Sequence, residues 1–197
     1  MVNAEITNNK ENEYVLILTK NGYINRFNVT SIRNQGRATK GVKGISLREK
    51  DFVVDALIAK NDEKILVVTE NGMGKKTGIE DYRETKRGSK GVMVMKITKR
   101  TGNAIKIIGI DDENTEIALL TEKGKILRTG VSSIRTTSKN TQGVKIVSLD
   151  ADDKVLRADK IANTDSPKKS IDNQEEHIVI EKEISSIQEE NFQRTLF

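Results

Sequence analysis

Arginine and lysine side chains recur at fixed distances along this 197-residue chain, and a spaced row of such cations is suited to binding phosphate groups. Counted from Thr19, Thr69 and Thr121, a basic residue follows after seven, fourteen and eighteen positions in every case. The full set of candidates is Arg26, Arg33, Arg37, Lys40, Lys76, Arg83, Lys86, Arg87, Lys90, Arg128, Arg135 and Lys139. One such residue taken alone is as well explained as a solvated surface charge, but three occurrences in register favour a polyanion partner.

Duplex DNA is the polyanion that fits such a row. It presents about one negative charge per 1.7 Å of helix axis, and a protein that holds any sequence can use only phosphate spacing and DNA deformability. A glycine-valine pair follows each threonine by 22 positions, at Gly41, Gly91 and Gly143. These glycines either let backbone N–H groups approach a phosphate or simply form ordinary turns.

Other chemistries have little support in the residue types. His177 is the only histidine and there is no cysteine, so histidine-based catalysis, multi-histidine metal sites and thiolate chemistry are excluded. The stretch "GMGKKT" at 72–77 lacks the hydroxyl and the first glycine of a phosphate-binding loop. Asp111, Asp112 and Glu113 are better explained as a turn than as a cation site, and the aromatic residues do not recur in register as single-strand stacking would require. We expect neither a cofactor, nor a metal, nor a small-molecule substrate.

The elements that must position the basic residues are short β-strands. The apolar runs "YVLILT", "KILVVT" and "EIALLT" are each followed by "KNG", "ENG" or "EKG", and Asn-Gly is a strong hairpin signal. A second strand, the basic loop, a third strand ("VKGISL", "VMVMKI", "VKIVSL") and a fourth strand then follow in each repeat. Continuous apolar runs of this kind are typical of strands that are covered on both faces by neighbouring blades.

This pattern predicts an all-β, propeller-like array of about three four-stranded blades. The predicted domain organisation is a flexible segment at 1–12, repeats at about 13–62, 63–114 and 115–162, and an acidic tail at 163–197. The tail has a net charge of −4 against about +9 for the preceding residues. Its "HIVIEKEISSIQEENF" stretch is either a short amphipathic helix or a mostly disordered solvating segment.

The chain has no signal-peptide pattern at its start and no apolar run long enough for a bilayer. The sequence therefore predicts a cytosolic protein without a membrane partner.

The repeat resembles the C-terminal domain of the DNA gyrase A subunit, or that of its topoisomerase IV counterpart, over about residues 13–162. The residues that carry the likeness are the T-x-x-G-x-x-x-[RK] hairpins, the basic loops and the glycine-valine pairs. "KNTQGVKIVSLD" at 139–150 is similar to the terminal gyrase A blade in particular, and the acidic tail is also family-like. The resemblance implies a β-pinwheel, a propeller variant whose neighbouring blades exchange strands.

The chain departs from this family in one motif and in blade number. The family box Q-[RK]-R-G-G-[RK]-G is replaced by a degenerate version, which consists of Gln35, Gly36, Arg37, Ala38, Thr39, Lys40 and Gly41. Full gyrase domains also carry about twice as many blades, so the sequence is expected to represent a fragment or a natural truncation. Three blades are fewer than the four to eight or so that normally close a propeller.

The resemblance implies nonspecific duplex DNA binding, bending and wrapping in support of ATP-dependent negative supercoiling. It also implies two protein partners, which are the gyrase B subunit, where ATP is consumed, together with the remainder of the gyrase A subunit, where strands are broken. The expected location is cytoplasmic and nucleoid-associated. Two alternatives stay open, namely a topoisomerase IV domain and a propeller-like protein-interaction module whose charges only solubilise it.

Overall fold

A computed structural model describes residues 3–8, 11–138 and 141–161 of the chain. The strands are β1 (Glu13–Thr19), β2 (Tyr23–Asn28), β3 (Val53–Lys60), β4 (Lys64–Thr69), β5 (Met73–Gly78), β6 (Val92–Met93), β7 (Ala104–Ile110), β8 (Glu116–Thr121), β9 (Ile126–Gly130), β10 (Val144–Lys145) and β11 (Val155–Ile161). Two 3-10 helices, Val29–Ser31 and Val131–Ser133, follow β2 and β9. Within the described residues no helix has the length and apolar character needed to cross a membrane.

The strands form three antiparallel sheets, which we name blades 1 to 3. Blade 1 has the order β3-β1-β2-β6, blade 2 has the order β10-β5-β4-β7, and blade 3 has the order β11-β8-β9. Local turns account for the central pairs, because Gly22, Gly72 and Gly124 have φ of 75°, 71° and 77°, the left-handed conformation that such hairpins require. The all-β, propeller-like architecture predicted from the sequence is confirmed.

Neighbouring repeats exchange a strand. β6 belongs to the second repeat but pairs with β2 of the first, with Val92 opposite Ile24. β10 belongs to the third repeat and pairs with β5 of the second, with Val144 opposite Gly74. The third strand of the predicted repeat is thus only two residues long in these two cases, and residues 42–47 form no strand. Residues 42–47 form no strand because the third strand of a repeat pairs with the hairpin of the preceding repeat, and the described residues include no repeat before the first.

The apolar cores lie between adjacent blades. Alternate residues of β4 face opposite ways: Ile65 belongs to the core shared with blade 1, and Leu66 to the core shared with blade 3. Because both faces of β4 are covered, its run "KILVVT" is almost uniformly apolar and buried. Among the described residues no further blade covers the outer faces of blades 1 and 3, and Leu120 of β8 is accordingly 38% exposed.

Candidate nucleic-acid interface

The second and third basic loops lie against the second strand of the preceding blade. In the second loop, the Thr85 amide donates to the Arg26 carbonyl at 2.8 Å, and the Ser89 hydroxyl donates to Asn25 Oδ1 at 2.6 Å. In the third loop, the Thr137 amide donates to the Lys76 carbonyl at 2.8 Å. The repeats therefore fix the positions of these two loops through contacts that do not involve the basic side chains.

The first and second loops are joined directly. The Ser46 amide donates to the Ser89 carbonyl at 2.8 Å, and the Gly88 amide donates to the Gly44 carbonyl at 2.8 Å. The Arg87 guanidinium also donates to the carbonyl of Lys43 at 3.1 Å. Cationic side chains from two successive repeats consequently share one surface.

Most of the predicted loop cations are exposed. The exposed members are Arg33, Arg37, Lys40, Arg83, Lys86, Arg87, Lys90 and Arg135. Within residues 3–8, 11–138 and 141–161, none of these eight forms an ion pair with a carboxylate within 4.0 Å. Lys139, the ninth predicted loop cation, lies outside the described residues. The loops thus present cations that form no close ion pair with a carboxylate of the described chain.

Three further exposed lysines lie beside the basic loops and were not among the predicted DNA contacts. Lys43 and Lys145 each follow a glycine-valine pair, and Lys96 lies in the corresponding segment of the second repeat. A basic residue directly after the glycine-valine pair in two of three repeats is the signal that could have identified Lys43 and Lys145.

The predicted DNA contacts of Arg26 and Lys76 are wrong, because both side chains lie inside the protein. Arg26 is 6% exposed and donates to the carbonyls of Ile79 at 3.2 Å and Tyr82 at 2.6 Å, and also to the Asn61 side chain. Its guanidinium also lies 4.1 Å from the centre of the Tyr14 ring. These contacts join the first repeat to the second.

Lys76 plays the same part between the second and third repeats. It is 3% exposed, and its ammonium group donates to the Val131 carbonyl at 3.0 Å and to Glu113 at 2.7 Å. Two lysines, Lys64 and Lys76, donate hydrogen bonds to the Glu113 carboxylate, and these hold the pKa of Glu113 below its ordinary value. Arg128 occupies the same repeat position but is exposed, and it pairs with Glu116 at 2.5 Å.

The loop glycines have a packing role that the sequence did not reveal. Gly91 and Gly143 have φ of 67° and 78°, and a Cβ atom on either would lie 2.5 Å from the Ile24 carbonyl or 2.4 Å from the Gly74 carbonyl. These two glycines therefore allow close approach to the preceding blade. Gly41 shares the conformation, with φ of 75°, but has nothing within 4 Å of that point.

The degenerate box, residues 35–41, is an exposed loop with a single turn. Thr39 closes the turn by donating its amide to the Gly36 carbonyl at 3.3 Å and its hydroxyl to the same carbonyl at 2.9 Å. Arg37 and Lys40 project from this exposed segment.

The stretch "GMGKKT" is a buried strand, β5, rather than a phosphate loop. The Lys75 ammonium group within it donates to the Val94 carbonyl at 2.7 Å, and burial lowers the pKa of Lys75 to about 8 despite the opposing effect of Asp81. Burial likewise raises the pKa of Tyr82 to about 12, and the Tyr82 hydroxyl lies 2.9 Å from that of Thr77.

The first and last residues of the acidic stretch at 111–113 are paired with lysine side chains. Asp111 accepts a hydrogen bond from Lys160 at 2.6 Å, which holds the pKa of Asp111 below its ordinary value, and Glu113 is paired as described above. Asp112 accepts from the Asn114 amide at 2.9 Å in the turn between β7 and β8. This arrangement is that of a turn fastened to neighbouring strands.

Comparison with known proteins places these repeats in one family. The family model described as "DNA gyrase C-terminal domain, beta-propeller" matches residues 13–60, 63–110 and 115–162. Among curated proteins, the A subunit of DNA gyrase from Helicobacter pylori is 39% identical over 168 residues, covering 85% of this chain and 20% of that protein. The A subunit of DNA gyrase from Escherichia coli K12 is 31% identical over 162 residues, covering 82% of this chain and 18% of that protein. The chain thus spans about a fifth of the length of these relatives.

Solved structures agree with this assignment. The crystal structure of the C-terminal domain of DNA topoisomerase IV has a TM-score of 0.69 and 27% identity, covering 76% of this chain and 46% of that one. The E. coli ParC C-terminal domain shares the fold, with a TM-score of 0.60 and 20% identity over 77% of this chain and 63% of that one. With three matched repeats and the exchange of strands between blades, the chain belongs to the family of DNA gyrase C-terminal β-propeller domains.

Proposed function

We propose that residues 13–162 bind duplex DNA without reading its sequence and bend it along the row of basic loops. The observation that carries this proposal is the group of eight exposed loop cations without carboxylate partners in the described chain. Cations that are not neutralised within the protein can replace condensed counterions on a phosphate backbone, which is the main source of nonspecific DNA affinity.

Bending follows from the way in which the loops are attached. The second and third loops are held by backbone hydrogen bonds to the blade before them, at Thr85 and Thr137, and the first repeat is joined to the second loop at Gly44 and Ser46. Successive loops are therefore carried by successive blades, and DNA that contacts all of them must follow the arrangement of the blades. Smooth bending through 40–90° costs on the order of 1 to 6 kcal/mol, which only continued contacts along the arc can offset.

The exchange of counterions gives a direct binding test. We would replace Arg37, Lys86 and Arg135 with glutamine, because all three are exposed and lie in different repeats. Each lost phosphate contact reduces the slope of log affinity against log salt by about 0.9, so the triple variant should flatten the slope by about 2 to 3. Duplexes of different sequence should be affected alike.

A matched control removes the same charge elsewhere. Lys60, Lys99 and Arg100 are also exposed but lie outside the basic loops, so their replacement with glutamine should leave the slope nearly unchanged. Equal flattening by the two triple variants would mean that only net charge matters and would contradict a defined interface.

Bending is measured with a duplex that carries a dye at each end. The wild-type chain should bring the ends together, and the loop variant should leave them apart even at saturating concentration. Binding without any approach of the ends by the wild type would reject bending and favour a straight electrostatic clamp. Failure of the wild type to bind duplex DNA would favour the protein-interaction module.

We further propose that this activity serves gyrase, in support of ATP-dependent negative supercoiling. The curated relatives compared above are DNA gyrase proteins by name, which supports gyrase over topoisomerase IV. In this proposal the chain is not an enzyme by itself. The remainder of the gyrase A subunit supplies strand passage, while the gyrase B subunit consumes ATP. The place of action would be the cytoplasm, on nucleoid DNA.

A further inference from the structure

Asn25 of β2 is a buried side chain that contacts segments of two successive repeats. It is 0% exposed, and its amide nitrogen Nδ2 donates to the Gly44 carbonyl at 2.7 Å. Its oxygen Oδ1 accepts from the Thr85 hydroxyl and, at 2.6 Å, from the Ser89 hydroxyl. Gly44 follows the first basic loop, whereas Thr85 and Ser89 belong to the second. We name these four residues the loop junction.

The partners of Asn25 fix the orientation of its amide group. A carbonyl oxygen can only accept a hydrogen bond, so the nitrogen of Asn25 must face Gly44. The oxygen has two lone pairs, and the hydroxyls of Thr85 and Ser89 use both of them. Because a buried polar network is rigid when its members are paired, the junction holds the two segments in one relative position.

The later repeats do not reproduce this junction. Lys75 occupies the equivalent position of β5, and it donates to the Val94 carbonyl at 2.7 Å, as the amide nitrogen does in the first repeat. An ammonium group has no acceptor for the hydroxyls of the third loop, where Thr141 donates to the Thr137 hydroxyl at 3.2 Å. Leu127 occupies the third position and forms no side-chain hydrogen bond. The junction is therefore a property of one residue of β2 and not of the repeat.

The junction lies beneath exposed cations from both repeats. Backbone hydrogen bonds between residues 44–46 and residues 88–89 run beside it. The Arg87 guanidinium donates to the Lys43 carbonyl at 3.1 Å, which joins the same two segments once more. Lys43, Arg87 and Lys90 are all exposed. Their backbone positions relative to each other are thus set inside the protein, before any ligand is bound.

We propose that Asn25 is a positioning residue for DNA, which makes the cations of the first two repeats act as one phosphate-binding unit. This inference rests on the proposed function. Groups that are held before binding lose little freedom when the ligand arrives, so less of the contact energy is spent on ordering them. Segments that are fixed relative to each other also impose a path on the duplex. Loss of Asn25 should therefore impair bending more than it impairs electrostatic attraction.

Asn25→Ala removes the junction without removing a charge. In duplex titrations its affinity should be about tenfold weaker than that of the wild type, because the DNA must then order the loops itself. The slope of log affinity against log salt should change by less than about 0.5, because every cation remains. With a dye at each end of the duplex, the ends should approach less than in the wild-type complex, even at saturating concentration.

A second variant removes the junction from the opposite side and leaves Asn25 in place. The double variant Thr85→Val, Ser89→Ala lacks both hydroxyl donors, so it should show the same losses of affinity and bending. Adding Asn25→Ala to it should cause little further loss, because residues of one hydrogen-bond network are not additive. Circular dichroism of each variant checks that the β-fold is retained.

Asn71→Ala is the matched control, because Asn71 also fastens a turn that carries exposed cations. Its Nδ2 donates to the carbonyls of Lys99 at 3.0 Å and Arg100 at 3.2 Å. This turn lies outside the basic loops. The control variant should therefore keep the affinity, the salt slope and the approach of the duplex ends found for the wild type.

Amide hydrogen exchange without DNA measures the junction itself. Asn25→Ala should speed exchange at the Ser46 and Gly88 amides, which bond across the two segments, by about tenfold or more, and Asn71→Ala should not. Unchanged exchange in Asn25→Ala, bending like that of the wild type, or equal losses in Asn25→Ala and Asn71→Ala would each overturn the inference. A wild-type chain that fails to bind duplex DNA would instead reject the proposed function, and the positioning role with it.

Discussion

Replacing Arg26 with alanine should destabilise the fold far more than the same replacement at Arg128. The two residues occupy the same position of their repeats and lie on equivalent strands, β2 and β9. They differ in whether the described residues include a following blade that receives the side chain. The comparison therefore measures the contribution of the contact between blades with the residue type and the local strand held constant.

The magnitude follows from the contacts of each side chain. Removing Arg26 leaves the buried carbonyl of Tyr82 without this donor and takes from the Ile79 carbonyl one of its two donors, the other being the Tyr82 amide, at a cost of about 1 to 3 kcal/mol each. The contact with the Tyr14 ring adds about 0.5 to 2 kcal/mol. Arg26 Nε is buried without a partner among the described residues, and removing the side chain also removes this unfavourable burial, which makes the net loss of stability smaller. We expect a net loss of about 3 to 5 kcal/mol, against about 0 to 1 kcal/mol for the exposed pair of Arg128 with Glu116.

Urea unfolding followed by circular dichroism measures both changes. In a chain of this size, the loss at Arg26 corresponds to a fall of roughly 6 to 20 °C in Tm. Arg26→Lys should be intermediate, because Lys76 shows that an ammonium group reaches the equivalent carbonyl of the next repeat. Losses at Arg26 and Arg128 that agree within about 1 kcal/mol would refute the inter-blade contact as a source of stability.

Three further outcomes are expected. Because burial lowers the pKa of Lys75 from 10.5 to about 8, the unfolded chain binds the extra proton between these values, and stability should rise by about 2 kcal/mol from pH 7 to 9.5 in thermal melts. Lys75→Met should abolish this rise, and Tyr82, whose pKa is about 12, stays protonated over the range in the folded chain. Gly91→Ala should lower the free energy of unfolding in urea by about 1 to 3 kcal/mol more than Gly41→Ala does. Both glycines have positive φ, but only Gly91 faces a backbone carbonyl, so equal effects would reject the close approach. Deleting residues 163–197, which carry a net charge of −4, should tighten duplex binding at low salt, with the gain fading as salt rises, and unchanged affinity would reject competition by the tail.

The hairpins could be predicted from the sequence because their determinants are local. Thr19 and Gly22 lie in one turn, and the paired strands β1 and β2 are adjacent in the chain. The exchanged strands could not be placed by such reasoning alone, because Val92 pairs with a residue of the preceding repeat. Their pairing depends on which blades lie next to each other, and that is a property of the whole array.

The basic residues were predicted by recurrence, which does not distinguish a surface cation from a buried one. Arg26 and Lys76 recur as regularly as Arg33 and Arg83, yet the side chains of the first two are buried between their own blade and the next one. A cation inside a strand of a blade that is followed by another blade is more economically explained as a partner for carbonyl groups of that next blade. Strand position, rather than spacing, separates the structural cations from the candidate DNA contacts.

The exchange of strands also has a consequence for folding during synthesis on the ribosome. The outer edge of β2 is completed by Met93, which follows its partner Tyr23 by 70 residues in the chain. At a synthesis rate of about 5 to 20 residues per second, this edge stays open for roughly 4 to 14 s after it is made. Open edges can pair with other nascent chains, so the first blade passes through a period in which aggregation competes with completion. Slow translation between Tyr23 and Met93 should therefore lower the yield of folded protein.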